Sequence, residues 1–171
     1  MALRTLTPVP GQSRDLLAGS ARELLAAGAA DDPETRYARA HLAALRASAA
    51  VLAARARPGA SRRSARVRSA WVLLAEVAPE LGEWAVFFAA GAGKRAAAEA
   101  GLRGVVTERE ADDLVRESET FLALVARSLG VAHQPTLGLL DAGSLDTGVS
   151  ADGDLLAFAM PVRETPQRTA S

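Results

Sequence analysis

Apolar residues recur at spacings of three and four over most of the first 130 residues, which is the spacing of one buried face of an α-helix. Residues 13–29 follow this spacing and predict a first helix. A second helix is expected to start at Asp32, an N-cap acid that is followed by Pro33 at the first helical position and Glu34 in the first turn. It should continue to about Arg57, where a Pro-Gly pair ends it.

The most apolar segment, residues 69–90, predicts further helix with one continuous stripe of core positions. Pro79 must kink this helix or restart it, because proline removes a backbone donor and crowds the preceding turn. The sequence AAGAGKR at 89–95 is interpreted as a turn, followed by a short alanine-rich helix at 94–100 that Gly101 closes. The aromatic side chains are interpreted as core rather than as the lining of a ligand pocket. The stripe is Trp71, Leu74, Ala78, Leu81, Ala85 and Phe88, and the aromatic residues are Trp71, Trp84, Phe87 and Phe88.

Thr107 and Glu110 have the spacing of a capping box, which opens a long amphipathic helix that ends at Gly130. From residue 131 the chain is rich in Gly, Asp, Ser, Thr and Pro, which is typical of a mostly disordered tail. One apolar run in this tail, residues 155–162, is a candidate for docking on the bundle or on a partner. The core stripe of the long helix is Leu114, Ser118, Phe121, Leu122, Val125 and Leu129.

These elements predict an all-α fold, a compact bundle of four to five helices at residues 12–130. A flexible arm at 1–11 precedes the bundle and the low-complexity tail at 131–171 follows it. No stretch before residue 130 has the alternation of a strand. A chain of 171 residues is long enough for one such domain.

The composition narrows the chemistry that the chain can perform. It has no cysteine, which removes disulfides, thiol catalysis and thiolate metal sites, and its two histidines leave little material for any metal site. We expect no metal and no cofactor. No signal-peptide core is present and the longest apolar run, 84–93, is about half of a membrane span. The expected location is therefore cytoplasmic, without a membrane partner.

Charge is segregated along a chain whose formal net charge is +0. Residues 35–75 hold nine arginines and no acid, so the remaining residues carry 11 basic and 20 acidic side chains. Part of the arginine excess reflects a GC-rich genome, because the chain has one lysine and no isoleucine or asparagine. Six of the nine arginines lie at 55–69 (RARPGASRRSARVRS), here called the arginine-rich segment, and six acids lie at 108–119.

The arginine-rich segment has three interpretations. Its guanidinium groups bind a phosphate backbone, or they neutralise the acidic helix within the chain or across a dimer, or they are a solvated loop. No aromatic residue interleaves the arginines, although single-strand binders use such residues for base stacking. The candidate nucleic-acid-binding residues are Arg57, Arg62, Arg63, Arg66 and Arg68.

Residues 33–130 resemble the HEPN superfamily, in particular its small stand-alone branch from GC-rich bacteria. The resemblance rests on RYARAHLAALRASAAVLAARARP, on SAWVLLAEVAPELGEWAVFFAAGAGKRAAAEAG and on the closing amphipathic helix. It implies a helical bundle that is often dimeric and that either binds RNA or acts as a metal-independent ribonuclease. The nucleases carry an arginine, four to six residues and then a histidine, which act on the phosphate and on the 2′-hydroxyl.

Two pairs in this sequence match that spacing, Arg36 with His41 and Arg127 with His133. On a helix, five residues correspond to about 140° of rotation, so Arg36 and His41 face different ways and His41 falls on the core stripe. Arg127 lies on the outer face of its helix, and His133 follows the Gly130 stop and can fold back toward it.

The resulting prediction is a binding module that binds RNA or another polyanion as a homodimer, with no catalysis assumed. One alternative is a metal-independent ribonuclease that uses Arg127 and His133. The other is a protein-interaction module whose arginine-rich segment meets an acidic surface, including the acidic helix of its own chain.

Overall fold

The computed structural model describes residues 9–55 and 69–135, and over these residues the chain is an all-α bundle without strands. The helices are α1 (Gly11–Gly28), α2 (Pro33–Arg55), α3 (Ala70–Val77), α4 (Gly82–Glu99) and α5 (Glu108–Ser128), with a 3₁₀ turn at Pro79–Leu81. The predicted fold class is confirmed. The predictions for residues 1–8, for residues 56–68 of the arginine-rich segment and for the tail from 136 lie outside the described residues. No described helix combines the length and the apolar character that crossing a membrane requires.

Helix α2 is the centre of the bundle, and α1, α3, α4 and α5 all pack against it. Five of its ten buried positions are alanine, so neighbouring backbones can approach closely there. Two buried serines use this proximity, because Ser20 of α1 donates to the Ala43 carbonyl at 2.8 Å and Ser118 of α5 donates to the Ala40 carbonyl at 3.0 Å. The fully buried alanines of α2 are Ala40, Ala43, Ala44, Ala47 and Ala50.

The helix ends follow the local chemistry of the sequence. The Asp32 carboxylate accepts the Thr35 N–H at 2.9 Å, which lowers the pKa of Asp32, and Thr107 and Glu110 form the reciprocal capping box. At the other ends, Gly101 and Gly130 adopt φ of 80° and 68°. Each closes its helix with paired backbone bonds to the last turn, which is a Schellman motif.

The helices around Pro79 differ from the prediction in one respect. The sequence predicted that Pro79 either kinks the helix or restarts it, and the structure shows a restart through a 3₁₀ turn. After this turn, α4 runs unbroken to Glu99. The predicted turn at 89–95 and the separate helix at 94–100 are therefore wrong. Gly91 and Gly93, at about 1 kcal/mol each, do not break this helix, because alanines flank them and the inner face of α4 is buried. Gly91 has a packing role, since a Cβ there would lie 2.6 Å from the Tyr37 hydroxyl.

An aromatic cluster fills the space between α3, α4 and α5. Phe88 stacks with Trp71 at a centroid distance of 5.3 Å and contacts Phe121 at 5.2 Å, and Trp84 lies 5.5 Å from Phe121. All six predicted stripe positions from 71 to 88 are buried, and so are five of the six in α5, with Leu129 partly buried. Phe87 departs from the prediction, because 46% of it is exposed on the outer side of α4.

Two glycines two residues apart in α4 provide a matched test of the packing. We expect Gly91→Ala to destabilise the protein by about 1–3 kcal/mol, because its Cβ would overlap the Tyr37 hydroxyl. Gly93→Ala meets nothing within 4 Å and should stabilise the protein by up to about 1 kcal/mol through helix propensity. Urea unfolding of both variants measures the sign of the change in the free energy of unfolding for each. Equal effects of the same sign would contradict the close contact between α2 and α4.

Candidate functional site

The acidic first half of α5 is held by an arginine from the central helix. Arg36 Nη1 donates to Glu108 at 2.7 Å and to Asp112 at 2.8 Å, and its Nη2 donates to the Ala30 carbonyl at 3.1 Å. Its side chain is only 17% exposed, and these contacts, led by Glu108, raise the pKa of Arg36. Arg36 therefore joins the start of α2 to the start of α5.

Other cations pair with the remaining acids of this half-helix. Lys94 of α4 pairs with Glu110, and this contact, with the Thr107 N–H, lowers the pKa of the Glu110 carboxyl to about 2. Arg109 and Arg116 pair with Asp113 inside α5 itself. The acidic surface is thus largely neutralised by described residues that lie outside the arginine-rich segment.

A cationic cluster, defined by Arg22, Arg39 and Arg46, lies where α1 meets α2. Arg46 Nη2 and Arg39 Nη1 both reach the Glu23 carboxylate, at 3.2 Å and 3.3 Å. A Cβ at Gly19 would lie 2.9 Å from Arg46 Nη1 and 3.7 Å from Arg22 Nη2. The two guanidinium groups therefore approach within about 7 Å, close enough for mutual repulsion. Two arginines share the Glu23 carboxylate and Arg22 lies close to Arg46, so this face has an excess of positive charge.

His41 is part of the core. It is 2% exposed, its ring meets Trp71 and Phe88 edge to face, and its Nε2 lies 2.8 Å from the Phe88 carbonyl. Since a carbonyl only accepts, Nε2 carries the proton and donates this bond. Nδ1 is buried and has no hydrogen-bond partner. Burial lowers the pKa of His41, so the ring is neutral and structural, as its place on the core stripe predicted.

His133 contacts a carboxylate of α5. The Schellman motif at Gly130 reverses the chain, and Val131 packs on the core immediately afterwards. This turn brings His133 Nε2 to 3.3 Å from Glu119 Oε1, with both side chains largely buried. Glu119 precedes Arg127 by two helical turns, about 12 Å along the axis.

Comparison with known proteins gives one result at the level of the family. The family model described as SAV_6107-like HEPN matches residues 27–126, which is more than half of the chain. The chain belongs to the SAV_6107-like HEPN family. Searches of the curated proteins and of the solved structures return no match.

Two arginine–histidine pairs have the HEPN spacing, Arg36 with His41 and Arg127 with His133. Among the described contacts, neither arginine touches its histidine. Arg36 is bound to acids of α5, whereas His41 is inside the core. Arg127 is exposed, and His133 is at Glu119 instead of Arg127. The family match identifies a HEPN-like helical module, and the described contacts join neither arginine to its histidine.

The five arginines predicted to bind nucleic acid, at positions 57, 62, 63, 66 and 68, lie outside the described residues. Arg55, at the end of α2, pairs with Glu80 and lowers its pKa. The cationic cluster was missed at the sequence level. Arg39 and Arg46 are seven residues apart and share a helix face, which was a usable signal, but their proximity to Arg22 depends on how α1 packs.

The contact that Arg36 makes between α2 and α5 is tested by comparing this largely buried arginine with an exposed one. We expect Arg36→Gln to lower the free energy of unfolding by about 1–2 kcal/mol, since it removes charged hydrogen bonds from a mostly buried side chain. Arg109→Gln changes a 91% exposed side chain and should stay within about 0.5 kcal/mol. Chemical denaturation compares the two. Equal losses would contradict the assigned role of Arg36.

The buried His41 predicts a pH dependence of stability. Its pKa is lowered in the folded state, so the unfolded chain binds more protons below about pH 6.5 and stability falls as pH falls through that value. Between pH 7.5 and 5.5 this loss amounts to at most about 1.4 kcal/mol. His41→Gln should remove that part of the slope in urea unfolding at both pH values. His133→Gln is the control, and an unchanged slope in His41→Gln would contradict the assignment.

Proposed function

We propose that this HEPN-like module binds RNA or another polyanion through Arg57, Arg62, Arg63, Arg66 and Arg68, as a homodimer and without catalysis. The observation that carries the proposal is the allocation of ion pairs. The acidic half of α5 is paired with Arg36, Lys94, Arg109 and Arg116. The charge of the arginine-rich segment is not needed there, and phosphate is the ligand that guanidinium forks match best.

The position of the segment in the fold adds to this argument. It begins at Arg55, the last residue of α2, whereas the contact with the acidic half of α5 is made by Arg36. These two positions of α2 are about 28 Å apart along the helix axis. The acids of α5 and the start of the arginine-rich segment thus belong to opposite ends of the central helix.

The cationic cluster of Arg22, Arg39 and Arg46 is a second region of positive charge, in addition to the arginine-rich segment. Arg46 precedes the end of α2 by about 13 Å of helix axis. A polyanion bound by the arginine-rich segment is long enough to reach it, and clustered arginines strengthen such binding through counterion release. Dimerisation is the part of the proposal that rests on the HEPN family alone.

Catalysis is not part of the proposal, because Arg127 and His133 make no contact with each other in the described contacts. The protein-interaction alternative is less favoured because the acidic half of α5, the surface that the arginine-rich segment would meet, is already paired with Arg36 and Lys94. Both alternatives predict distinct outcomes in the binding experiment.

The experiment is fluorescence anisotropy of labelled single-stranded RNA with the full chain in EDTA. Replacing Arg62, Arg63 and Arg66 with alanine should weaken binding on the order of a hundredfold at about 0.1 M salt, because three phosphate contacts are lost. The matched control replaces Arg103, Arg109 and Arg116, which removes the same charge from exposed arginines with acidic partners. The control should change affinity by much less.

The RNA at the end of each titration is also run on a gel to measure its length. Sedimentation velocity measures the oligomeric state of the protein. Intact RNA is expected, and shortened RNA that depends on His133 would replace the proposal with the ribonuclease. Equal losses in the two triple variants would show that net charge, rather than the arginine-rich segment, decides affinity. A protein that is monomeric at all concentrations would remove the dimer from the proposal.

A further inference from the structure

The charges of the cationic cluster are not balanced by the acids around it. Glu23 uses one carboxylate oxygen for Arg46 Nη2, at 3.2 Å, and the other for Arg39 Nη1, at 3.3 Å. Within residues 9–55 and 69–135, Arg22 has no ion pair and no second acid pairs with Arg39 or Arg46. Two positive charges therefore remain after the charge of Glu23 is counted.

Gly19 gives the Arg46 guanidinium its place on the surface of α1. Gly19 lies in the interior of α1, where alanine is the better helix former. A Cβ at this position would lie 2.9 Å from Arg46 Nη1 and 3.4 Å from its Cδ, so the glycine leaves the space that this side chain occupies. The Nε of Arg46 is buried and has no hydrogen-bond partner among the described residues. Packing on α1 and the bond to Glu23 thus hold the guanidinium in place before any ligand binds.

The distance between Arg22 and Arg46 suits a single phosphate group. Arg22 Nη2 would lie 3.7 Å from the same Cβ position, so it is at most about 7 Å from Arg46 Nη1. Two charge-assisted N–H···O bonds of about 2.8 Å, with one phosphate group between them, span about 6–8 Å. The oxygens of one phosphate can therefore accept from both guanidinium groups. Such a ligand replaces the repulsion between two like charges with two attractive contacts.

The remaining charge of the cluster favours one kind of phosphate. A phosphate monoester carries a charge of about −1.5 to −2 at neutral pH and has three acceptor oxygens. It balances the two positive charges of the cluster, whereas a backbone phosphodiester, with a single negative charge, balances only one of them. The other acid of α1, Asp15, is about 11 Å from Arg22 along the helix axis, beyond the range at which it would neutralise this pair.

We infer that Arg22 and Arg46, with Arg39 beside them, bind the dianionic phosphate of a monoester. The terminal phosphate of an RNA and a small phosphate ester in solution present the same three oxygens, so both are sources of this ligand. The inference goes beyond the proposed function, because the ligand is one terminal phosphate instead of a phosphate backbone. None of the three residues belongs to the arginine-rich segment.

The site is tested by titrating the full chain with inorganic phosphate at constant ionic strength, followed by two-dimensional NMR. The backbone amides of Gly19 and Arg22 should shift and reach saturation. Arg22→Gln and Arg46→Gln should each weaken binding about tenfold, because each removes charge-assisted hydrogen bonds. The matched control is Arg14→Gln, which removes the same charge from an exposed position two turns earlier on α1. It should leave the affinity within about twofold, because that distance exceeds the screening length.

Gly19→Ala tests the geometry without changing a charge. Its Cβ displaces the end of the flexible Arg46 side chain, so the helix still forms whereas phosphate binds severalfold more weakly. Circular dichroism and the melting temperature check that this variant is folded. An absence of saturable shifts at Gly19 would overturn the inference, as would equal losses in Arg14→Gln and Arg22→Gln. Unchanged affinity in Gly19→Ala would overturn it as well.

A pair of labelled RNAs identifies the source of the phosphate. The two have the same sequence and the same 3′ label, and differ only in a 5′-phosphate or a 5′-hydroxyl. Tighter binding of the phosphorylated RNA, by about tenfold and lost in Arg22→Gln, supports the RNA terminus as the ligand. Equal affinities of the two RNAs, beside saturable binding of inorganic phosphate, support a free phosphate ester. If neither RNA binds while phosphate still does, the proposed RNA binding fails and the phosphate site stands.

Discussion

The bundle depends on the close approach of its helices to α2, which the alanine face of that helix permits. Ser20 and Ser118 reach the α2 carbonyls of Ala43 and Ala40 only because no large side chain separates the backbones. The same proximity brings Tyr37 against Gly91 of α4 and places His41 between aromatic rings. With the helices fixed at this distance, each long charged side chain at the periphery has a defined neighbour.

That geometry decides how charge is distributed over the molecule. Arg36 and Lys94 reach from α2 and α4 to the acids of α5, so the acidic half-helix is neutralised within the described bundle. Glu23 is shared by two arginines at the α1–α2 face, where positive charge is in excess. The proposal of polyanion binding follows from this division, because the arginines at 56–68 add to the positive side of it.

Most of the fold could be predicted from residues that act on their own helix, whereas contacts between helices were harder to predict from the sequence. Asp32, Thr107 and Gly130 act on their own few residues, and the structure confirms their roles in capping and termination. The continuity of α4 was missed because Gly91 and Gly93 are typical of a turn, and only the contact with Tyr37 explains Gly91. The sequence allowed His133 to fold back toward Arg127, but the Schellman turn directs it to Glu119. The arginines at 56–68 were identified from charge alone, and their role stays a prediction.

The most direct test of the central claim is the salt dependence of RNA affinity, measured as the slope of log K against log salt concentration. Five arginine–phosphate contacts predict a slope of about −3.5 for a single strand. Removing one of the five arginines should reduce it by about 0.7, whereas removing an arginine that pairs with α5 should leave it unchanged. A slope near zero, or no binding even at low salt, would contradict the account.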